Sequence, residues 1–338
     1  MIRIQSAFFL IFFYALLLGG CAGHKAHQAR KAAVIEVPEA EAPTPRYRAY
    51  REQSGDFTQP AELEPQVEFW KKVYSRWSQS QAAIHDDRYM EAIYEVADIP
   101  GSVGSSLTAD QKDWLKGRRD FWKTRLADLE DRVAARQPLD RNDKEILAML
   151  GGSGKLSGAA ERVRSQRGMK ERFRRGLEIS RSYDRHFRRI FRDAGLPEDL
   201  AYLPHVESSF QAAAKSSAGA VGIWQFTKGA AVRYMTVNEV VDERLDPVAA
   251  AHGAARYLRD AYDRLGSWPL AVTSYNHGMN GMKKAKNIYG DDFVRIVAEY
   301  DHPLFGFASR NYYAEFLAAR AIAQEPERYF GEGTRAGR

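Results

Sequence analysis

One carboxylic acid stands out in the sequence because of the residues around it. Glu207 lies in the segment LPHVESSFQ, where Leu200, Leu203 and Val206 form an apolar stripe that ends at the acid. Burial against such a stripe removes water from a carboxyl group and raises its pKa, because the charged form is disfavoured. A carboxyl that is protonated near neutral pH can donate a proton to a leaving-group oxygen, as glycosidic cleavage requires. Taken alone, the pattern is more typical of an ordinary glutamate at a helix end or on the surface.

Five short segments follow one another in the second half of the chain. They are Glu207-Ser208, GIWQ at 222–225, DERLDP at 242–247, YNHG at 275–278 and RNY at 310–312. In this order they resemble the lytic transglycosylases of family 1, which are goose-lysozyme-like, and specifically the membrane-bound D-type lipoproteins. In that family a Glu-Ser pair carries the catalytic acid, and Gly-x-x-Gln and Ala-Tyr-Asn-x-Gly segments follow. The resemblance covers residues 162–323 and implies a lysozyme-like helical catalytic domain of the goose type.

The resemblance implies a reaction that needs only one carboxyl. Glu207 would protonate the glycosidic oxygen between N-acetylmuramic acid and N-acetylglucosamine. Its carboxylate would then take the proton from the muramyl 6-hydroxyl as that oxygen attacks C1, which leaves a 1,6-anhydromuramyl end. No water is consumed, so the second acid of a typical glycosidase pair is not required. This agrees with the lack of an acidic neighbour beside Glu207 in the sequence.

The same resemblance assigns substrate-binding roles to residues downstream. Asn276 or Gln225 is expected to orient the N-acetyl carbonyl of the substrate, and Ser216 is expected to assist near the N-acetyl or 6-hydroxyl group. Tyr275 or Tyr312 is expected to donate a hydrogen bond to the catalytic carboxyl, which would tune when that group holds its proton. The sequence leaves open which member of each pair acts.

Two positions depart from the family pattern. Ser274 replaces the usual alanine before Tyr275, which adds one hydroxyl, and Trp224 stands where many relatives carry methionine. We expect the indole of Trp224 to offer a flat face to a sugar ring. His277 occupies a variable position and is expected to face solvent or the glycan. The other histidines are scattered without metal-ligand spacing, so no metal or other cofactor is predicted.

Two other functions share these residues. A hydrolytic muramidase would use the same fold but would attack C1 with water activated by a second carboxylate. A non-catalytic glycan-binding lipoprotein would use the site only as a clamp. The net charge of +6 suggests an anionic partner. Acidic residues interrupt the basic stretch at 162–192 and no nucleic-acid-binding motif accompanies it, so nucleic acid is not a predicted partner.

The N-terminus has the form of an export signal. A basic start at Arg3 precedes an apolar run at residues 7–18, which is too short to span a bilayer, and Cys21 follows it. Cys21 is the only cysteine, and its position is that of the acylated residue of a bacterial lipoprotein. The next residue is Ala22 and not the aspartate of lipoproteins kept at the inner membrane. The resemblance to lipoproteins therefore implies sorting to the outer membrane of a Gram-negative bacterium. We therefore predict a periplasm-facing lipoprotein that binds peptidoglycan strands, is anchored to the membrane through Cys21, and joins a cell-wall enzyme complex.

Composition and helical periodicity divide the 338 residues into five parts. They are a signal peptide at 1–21, a polar, proline-bearing flexible linker at 22–65, an N-terminal helical region at 66–160, the catalytic domain at 161–325 and a C-terminal tail at 326–338. Apolar residues at helical spacing predict helices around 69–77 and 115–133, and from Arg141 to Leu150. Asp246-Pro247 predicts the start of another helix that Gly266 ends. Since no strand-period run of convincing length occurs, the predicted class is all-α with at most a minor hairpin.

Overall fold

Thirteen α-helices and three short strands form the part of the chain that the structure describes, residues 57–331 of a computed structural model. The helices are α1 (Glu64–Ser75), α2 (Ala109–Ala134), α3 (Arg141–Leu150), α4 (Lys170–Ser180), α5 (Asp184–Asp193), α6 (Leu203–Glu207), α7 (Lys228–Ala231), α8 (Pro247–Leu265), α9 (Trp268–His277), α10 (Met279–Tyr289), α11 (Phe293–Glu299), α12 (Phe307–Gln324) and α13 (Pro326–Phe330). The strands are β1 (Gln81–Asp86), β2 (Ile93–Asp98) and β3 (Val163–Arg167), and short 3-10 helices lie at Ala61–Leu63, Ser153–Lys155, Glu198–Tyr202 and Glu243–Leu245.

Polar caps and glycines set the helix ends. Thr108 and Asp140 each accept the backbone N–H three residues later, so α2 and α3 begin immediately after them. Gly151 adopts the left-handed conformation with φ of 75° and ends α3. Asp246 caps α8 in the same way, and Gly266 ends it with φ of 67°. The predicted bounds of the helix from Arg141 to Leu150 and of the helix from Pro247 are confirmed.

The three strands form one small antiparallel sheet in the order β2-β1-β3. β1 is buried along nearly its whole length, because it lies between two neighbouring strands and under helices. Such a strand lacks the alternation of polar and apolar residues by which strands are found in a sequence. The all-α class is confirmed, since helices form the rest of the ordered elements, and the sheet is a small addition to it.

The main hydrophobic core joins the two ends of the described chain. α1 packs along α12, and Trp70 donates a hydrogen bond from Nε1 to Oδ1 of Asn311 at 3.3 Å. The buried ring of Phe57 meets that of Phe316 edge-on, with centroids 5.0 Å apart. A smaller core lies between the sheet, α2 and α3 around side chains such as Leu126. Thus α1 falls in the predicted N-terminal region but shares the core of the helices that follow residue 161.

Two of the predicted terminal segments are partly packed. The signal peptide, Cys21 and most of the predicted linker lie outside the described residues. The end of that linker, residues 57–65, is not flexible, because Phe57 and Leu63 are buried in the main core. The predicted tail begins with α13, whose Pro326 is also buried. Within residues 57–331, every helix is too short or too polar to cross a bilayer.

Candidate active site

Glu207 is the last residue of α6, at a point where the chain turns sharply. Ser209 and Phe210, the second and third residues after Glu207, have φ of 51° and 58°, in the left-handed region. Non-glycine residues are uncommon there, and such strain is concentrated at functional sites. Gly176 of α4 makes this turn possible, because a Cβ atom at that position would lie only 2.8 Å from the carbonyl oxygen of Ser209. The backbone is thus held in a strained turn directly after the acid.

The carboxyl group of Glu207 accepts a hydrogen bond from the hydroxyl of Tyr312, on α12. Tyr312 is 3% exposed, whereas Glu207 is half-buried. Desolvation raises the pKa of Glu207 to about 7, although the Tyr312 hydrogen bond acts in the opposite direction by stabilising the carboxylate. The rise in pKa that the apolar stripe predicts is present. A carboxyl of this kind can give up a proton at neutral pH and take one back.

Tyr312 and Tyr275 were the two candidate hydrogen-bond donors to Glu207, and only Tyr312 donates to it. Tyr312 contacts Glu207, whereas the hydroxyl of Tyr275 donates to the backbone carbonyl of Trp224 at 2.9 Å. Burial and the negative charge of Glu207 raise the pKa of Tyr275. Tyr275 therefore lies near the acid but positions the neighbouring loop.

Ser216 and Gln225 both stabilise the loop in which they lie, residues 214–226. Ser216 Oγ accepts the N–H of Ala220 at 3.0 Å. Gln225, with φ of 50°, folds back so that Nε2 donates to the carbonyls of Gly222 at 2.8 Å and Ala214 at 3.1 Å. Among the described residues, this leaves the hydroxyl hydrogen of Ser216 and the amide oxygen of Gln225 without a partner. Each side chain thus has one polar function that the loop itself does not use.

The DERLDP segment forms hydrogen bonds to the backbone of the loop at 214–226. Arg244 donates from Nε and Nη2 to the carboxylate of Asp242 at 2.8 and 2.6 Å, and from Nη1 to the carbonyls of Gly219 and Phe226 at 3.3 Å. A Cβ atom on Gly222 would lie 2.2 Å from the Arg244 carbonyl oxygen, so only glycine permits this contact. The segment serves as a support for the loop, which explains why it accompanies the Gly-x-x-Gln segment in the sequence.

Ser208 connects the turn after the acid to the same loop. Its buried hydroxyl donates to the carbonyl of Ile223 at 2.8 Å, and its own carbonyl accepts a hydrogen bond from Nη2 of Arg172 at 3.2 Å. The Glu-Ser pair is therefore one acid followed by one structural hydroxyl. The connection fixes the position of Glu207 relative to the Gly-x-x-Gln segment.

Asn276 and His277 extend from the end of α9. Oδ1 of Asn276 accepts the hydroxyl of Ser309 at 2.8 Å, which leaves its two N–H groups without a partner among the described residues. His277 was expected to face solvent or the glycan. Its ring packs edge-on against Phe305, its Nδ1 lies 3.1 Å from the Leu304 carbonyl, and burial lowers its pKa. The residue is only partly buried, so its exposure to solvent or glycan stays a prediction.

Trp224 cannot act as predicted. It is 0% exposed, its Nε1 donates to the carbonyl of Pro247 at 3.2 Å, and its ring packs between Phe187 and Phe191. The expectation that the indole faces a sugar ring is wrong, because the left-handed turn at Gln225 directs Trp224 into the core. Its place in the motif reflects packing.

A second carboxyl lies near Glu207, and no sequence motif indicated it. Glu315 follows Tyr312 by one helical turn on α12 and accepts the hydroxyl of Tyr74, on α1, at 3.0 Å. Burial raises its pKa to about 8, and the negative charge of Glu207 adds to the rise. No acid stands beside Glu207 in the sequence, but folding brings Glu315 near it from a distant helix. The available signal was an acid three residues after Tyr312 in an otherwise apolar stretch.

Comparisons with known proteins match this part of the chain. Residues 190–293 match the family described as "Transglycosylase SLT domain". The chain is 33% identical over 117 residues to the membrane-bound lytic murein transglycosylase F 2 of Alkalilimnicola ehrlichii, over 32% of this chain and 25% of that protein. It is 37% identical over 94 residues to the membrane-bound lytic murein transglycosylase D of Escherichia coli, over 27% of this chain and 20% of that protein.

The chain thus spans a quarter or less of the length of these two relatives. The matched family segment includes Glu207, the loop at 214–226 and the YNHG segment, whereas Tyr312 and Glu315 lie beyond it. Residues 190–293 are therefore similar to the transglycosylase SLT domain, and the half-buried Glu207 lies within that segment.

Proposed function

We propose that this protein is a lytic transglycosylase that cleaves the β-1,4 bond between N-acetylmuramic acid and N-acetylglucosamine in peptidoglycan and leaves 1,6-anhydromuramyl ends. The observation that carries the proposal is the state of Glu207, a half-buried acid with a pKa near 7 that accepts a hydrogen bond from Tyr312, within a transglycosylase SLT domain. Such an acid serves both halves of the reaction.

Glu207 acts first as the acid. Its proton passes to the glycosidic oxygen as the bond to C1 breaks, and the hydroxyl of Tyr312 stabilises the carboxylate that forms. The carboxylate then removes the proton of the muramyl 6-hydroxyl while that oxygen forms its bond to C1. Glu207 ends the cycle protonated, and the two products together contain the atoms of the substrate.

Asn276, Ser216 and Gln225 orient the reacting sugar. The N–H groups of Asn276 suit the carbonyl oxygen of an N-acetyl group, because Ser309 already occupies the amide oxygen. The free hydroxyl hydrogen of Ser216 and the amide oxygen of Gln225 supply a donor and an acceptor on the loop beside Glu207. These contacts hold the N-acetyl group where it can meet the positive charge that develops at C1.

Glu315 supports hydrolysis as a second candidate, since hydrolytic glycosidases pair two carboxyls. A water-activating base must be ionised at the pH of reaction. Burial and the charge of Glu207 raise the pKa of Glu315 to about 8, so it is mainly protonated at neutral pH. The transglycosylase reaction, which needs no second base, is therefore favoured over the muramidase.

Product analysis separates these reactions. Purified protein would be incubated with peptidoglycan sacculi, and the new ends identified by mass spectrometry. Transglycosylation gives anhydro ends, whereas reducing muramic ends alone would show hydrolysis. Glu207→Gln should abolish cleavage and retain binding to sacculi, while the exposed Glu239→Gln serves as the control. Binding without cleavage by the unaltered protein would instead support the glycan-binding alternative.

We also propose that Cys21 is acylated and anchors the protein at the outer membrane, facing the periplasm. The lipoprotein signal in the sequence supports this placement, and so do the relatives, whose names describe membrane-bound murein transglycosylases. Residues 66–160 would then include a brace for the catalytic domain, since α1 packs along α12 in the main core. Cys21→Ser should release the protein into the soluble periplasmic fraction.

A further inference from the structure

Two arginines lie beside Phe307, where the small sheet meets the start of α12. The guanidinium carbon of Arg164, on β3, lies 4.1 Å from the centroid of the Phe307 ring. Arg310 follows Phe307 by three residues on α12, so both side chains project from the same side of the helix. His85 of β1 pairs with Arg164, and its ring also packs against Phe307, with centroids 5.8 Å apart. Arg164, Phe307 and Arg310 together form what we call the arginine surface.

Neither arginine forms an ion pair with an acid among the described residues. Both side chains are half-buried, and the Nε–H group of each is buried without an acceptor in that part of the chain. Burial lowers the pKa of both guanidinium groups, although arginine stays charged at neutral pH. Charges that lose water in a protein are ordinarily paired, because an unpaired charge is not compensated for that loss. The arginine surface is therefore suited to an anionic group from outside the described chain.

The charges around the arginine surface do not cancel its own. Asp87 acts on both arginines, but within the described structure it forms an ion pair with neither. Arg88 and Arg119 add positive charge, whereas Asp301 adds a negative charge from the exposed loop before α12. His85 is uncharged at neutral pH, because burial lowers its pKa to about 3. The guanidinium groups thus outnumber the carboxylates, and the surface remains positive.

The arginine surface adjoins the residues that we propose hold the N-acetyl group. Ser309, which precedes Arg310 in the chain, donates its hydroxyl to Oδ1 of Asn276 at 2.8 Å. In muramic acid the N-acetyl group is on C2, and the lactyl group that carries the peptide is on C3 of the same ring. Three extended peptide residues span roughly 10 Å, so a peptide on that ring can reach the first turn of α12. Its carboxylates match the planar, forked donors of arginine.

We propose that the arginine surface binds a carboxylate of the peptide attached to muramic acid, so that peptide-bearing glycan strands bind more tightly than bare strands. The inference rests on the proposed function, because it names the form of that substrate which the protein prefers. Both arginines lie outside residues 190–293, so the similarity to the SLT domain does not assign this role. The small sheet gains a part in substrate recognition, since β3 supplies Arg164.

The test compares two forms of the same soluble glycan strands, one with its peptides and one from which an amidase has removed them. Arg164→Gln should raise KM for the peptide-bearing strands about 10-fold with kcat unchanged, because a charge-assisted hydrogen bond is lost. KM for the bare strands should change by less than ~2-fold. Arg185→Gln, which alters an exposed arginine of α5, is the matched control and should leave both KM values unchanged.

Two further variants separate charge from packing. Arg310→Gln should give the same selective rise in KM, and it decides the question if Arg164→Gln does not fold, as judged by circular dichroism. Arg164→Lys keeps the positive charge and should retain part of the preference for peptide-bearing strands. An equal rise in KM for both forms would show a purely structural role and would overturn the inference. Unchanged KM values, or a rise confined to the bare strands with their free lactyl carboxylate, would also overturn it.

Binding without cleavage distinguishes failure of this inference from failure of the proposed function. Glu207→Gln should sediment more readily with peptide-bearing sacculi than with sacculi stripped of peptides, and adding Arg164→Gln should remove that difference. Equal sedimentation of Glu207→Gln with both forms would overturn the inference. Lack of anhydro ends with the unaltered protein would instead overturn the proposed function and would leave the difference in binding in place.

Discussion

Replacing Glu207 by glutamine should make the protein more stable at alkaline pH while abolishing its activity. The folded state raises the pKa of Glu207 from an ordinary 4.5 to about 7. Between these values the folded protein binds more protons at this site than the unfolded chain does, so the free energy of unfolding falls as pH rises through the window. The loss is complete above about pH 7, where the carboxylate is ionised in both states.

The magnitude follows from the same pKa. Each unit of difference between the folded and unfolded pKa values corresponds to ~1.4 kcal/mol. Keeping Glu207 charged in the folded protein therefore costs about 3 kcal/mol of unfolding free energy. Because Glu207 is half-buried and not fully enclosed, we expect an observed gain of about 2 to 3 kcal/mol for Glu207→Gln near pH 8. Near pH 5 the gain should be less than ~1 kcal/mol, since pH 5 is only slightly above the pKa of Glu207 in the unfolded chain.

Urea unfolding followed by circular dichroism at both pH values measures this difference. The glutamine side chain of the variant would still accept the Tyr312 hydroxyl, so the comparison isolates the charge. Glu239→Gln, which changes an exposed carboxyl, should alter the stability equally little at both pH values. A loss of stability in Glu207→Gln near pH 8, or the same change at the two pH values, would refute the claim that the folded protein disfavours the Glu207 carboxylate.

Three other substitutions test separate parts of the site. Tyr312→Phe removes the hydroxyl that stabilises the Glu207 carboxylate, so the fall of kcat/KM with pH should move to higher pH and kcat should drop by about 10- to 100-fold; an unchanged profile would contradict this role. Gly222→Ala brings a Cβ atom against the Arg244 carbonyl at a φ of 77°, and we expect a loss of about 2 kcal/mol or more in urea unfolding; a stable variant would mean that the loop relaxes freely. Trp224→Phe should lower the free energy of unfolding by about 1 to 3 kcal/mol and leave KM nearly unchanged, whereas a large rise in KM at unchanged stability would restore a sugar-binding role.

Much of the helical framework could be predicted from the sequence, because its signals are local. Asp140 and Gly151 fix α3 at the residues expected, and the apolar spacing predicts α2. The sheet was missed for a physical reason: β1 is buried on both faces and therefore has no alternating pattern. Helix signals depend on caps and periods within the segment, whereas the pairing of β1 with β3 depends on residues far along the chain.

In the candidate site, too, features set by neighbours in the sequence could be predicted, whereas features set by tertiary packing could not. The apolar stripe before Glu207 predicts a raised pKa, since it concerns neighbours in sequence. The choice of Tyr312 over Tyr275 as the donor, and the approach of Glu315, depend on how α12 packs against α6 and α1, which no local pattern specifies. Trp224 was misassigned because its direction follows from the left-handed turn at the next residue, not from its chemical type.

The most direct test of the central claim follows the oxygen that attacks C1. Sacculi would be digested in water enriched in a heavy oxygen isotope, and the new muramic ends analysed by mass spectrometry. If Glu207 transfers protons to the leaving oxygen and from the muramyl 6-hydroxyl, the ends are anhydro and contain no heavy oxygen. One heavy oxygen in each new end would show that water attacks C1, and would contradict the single-carboxyl transglycosylase reaction.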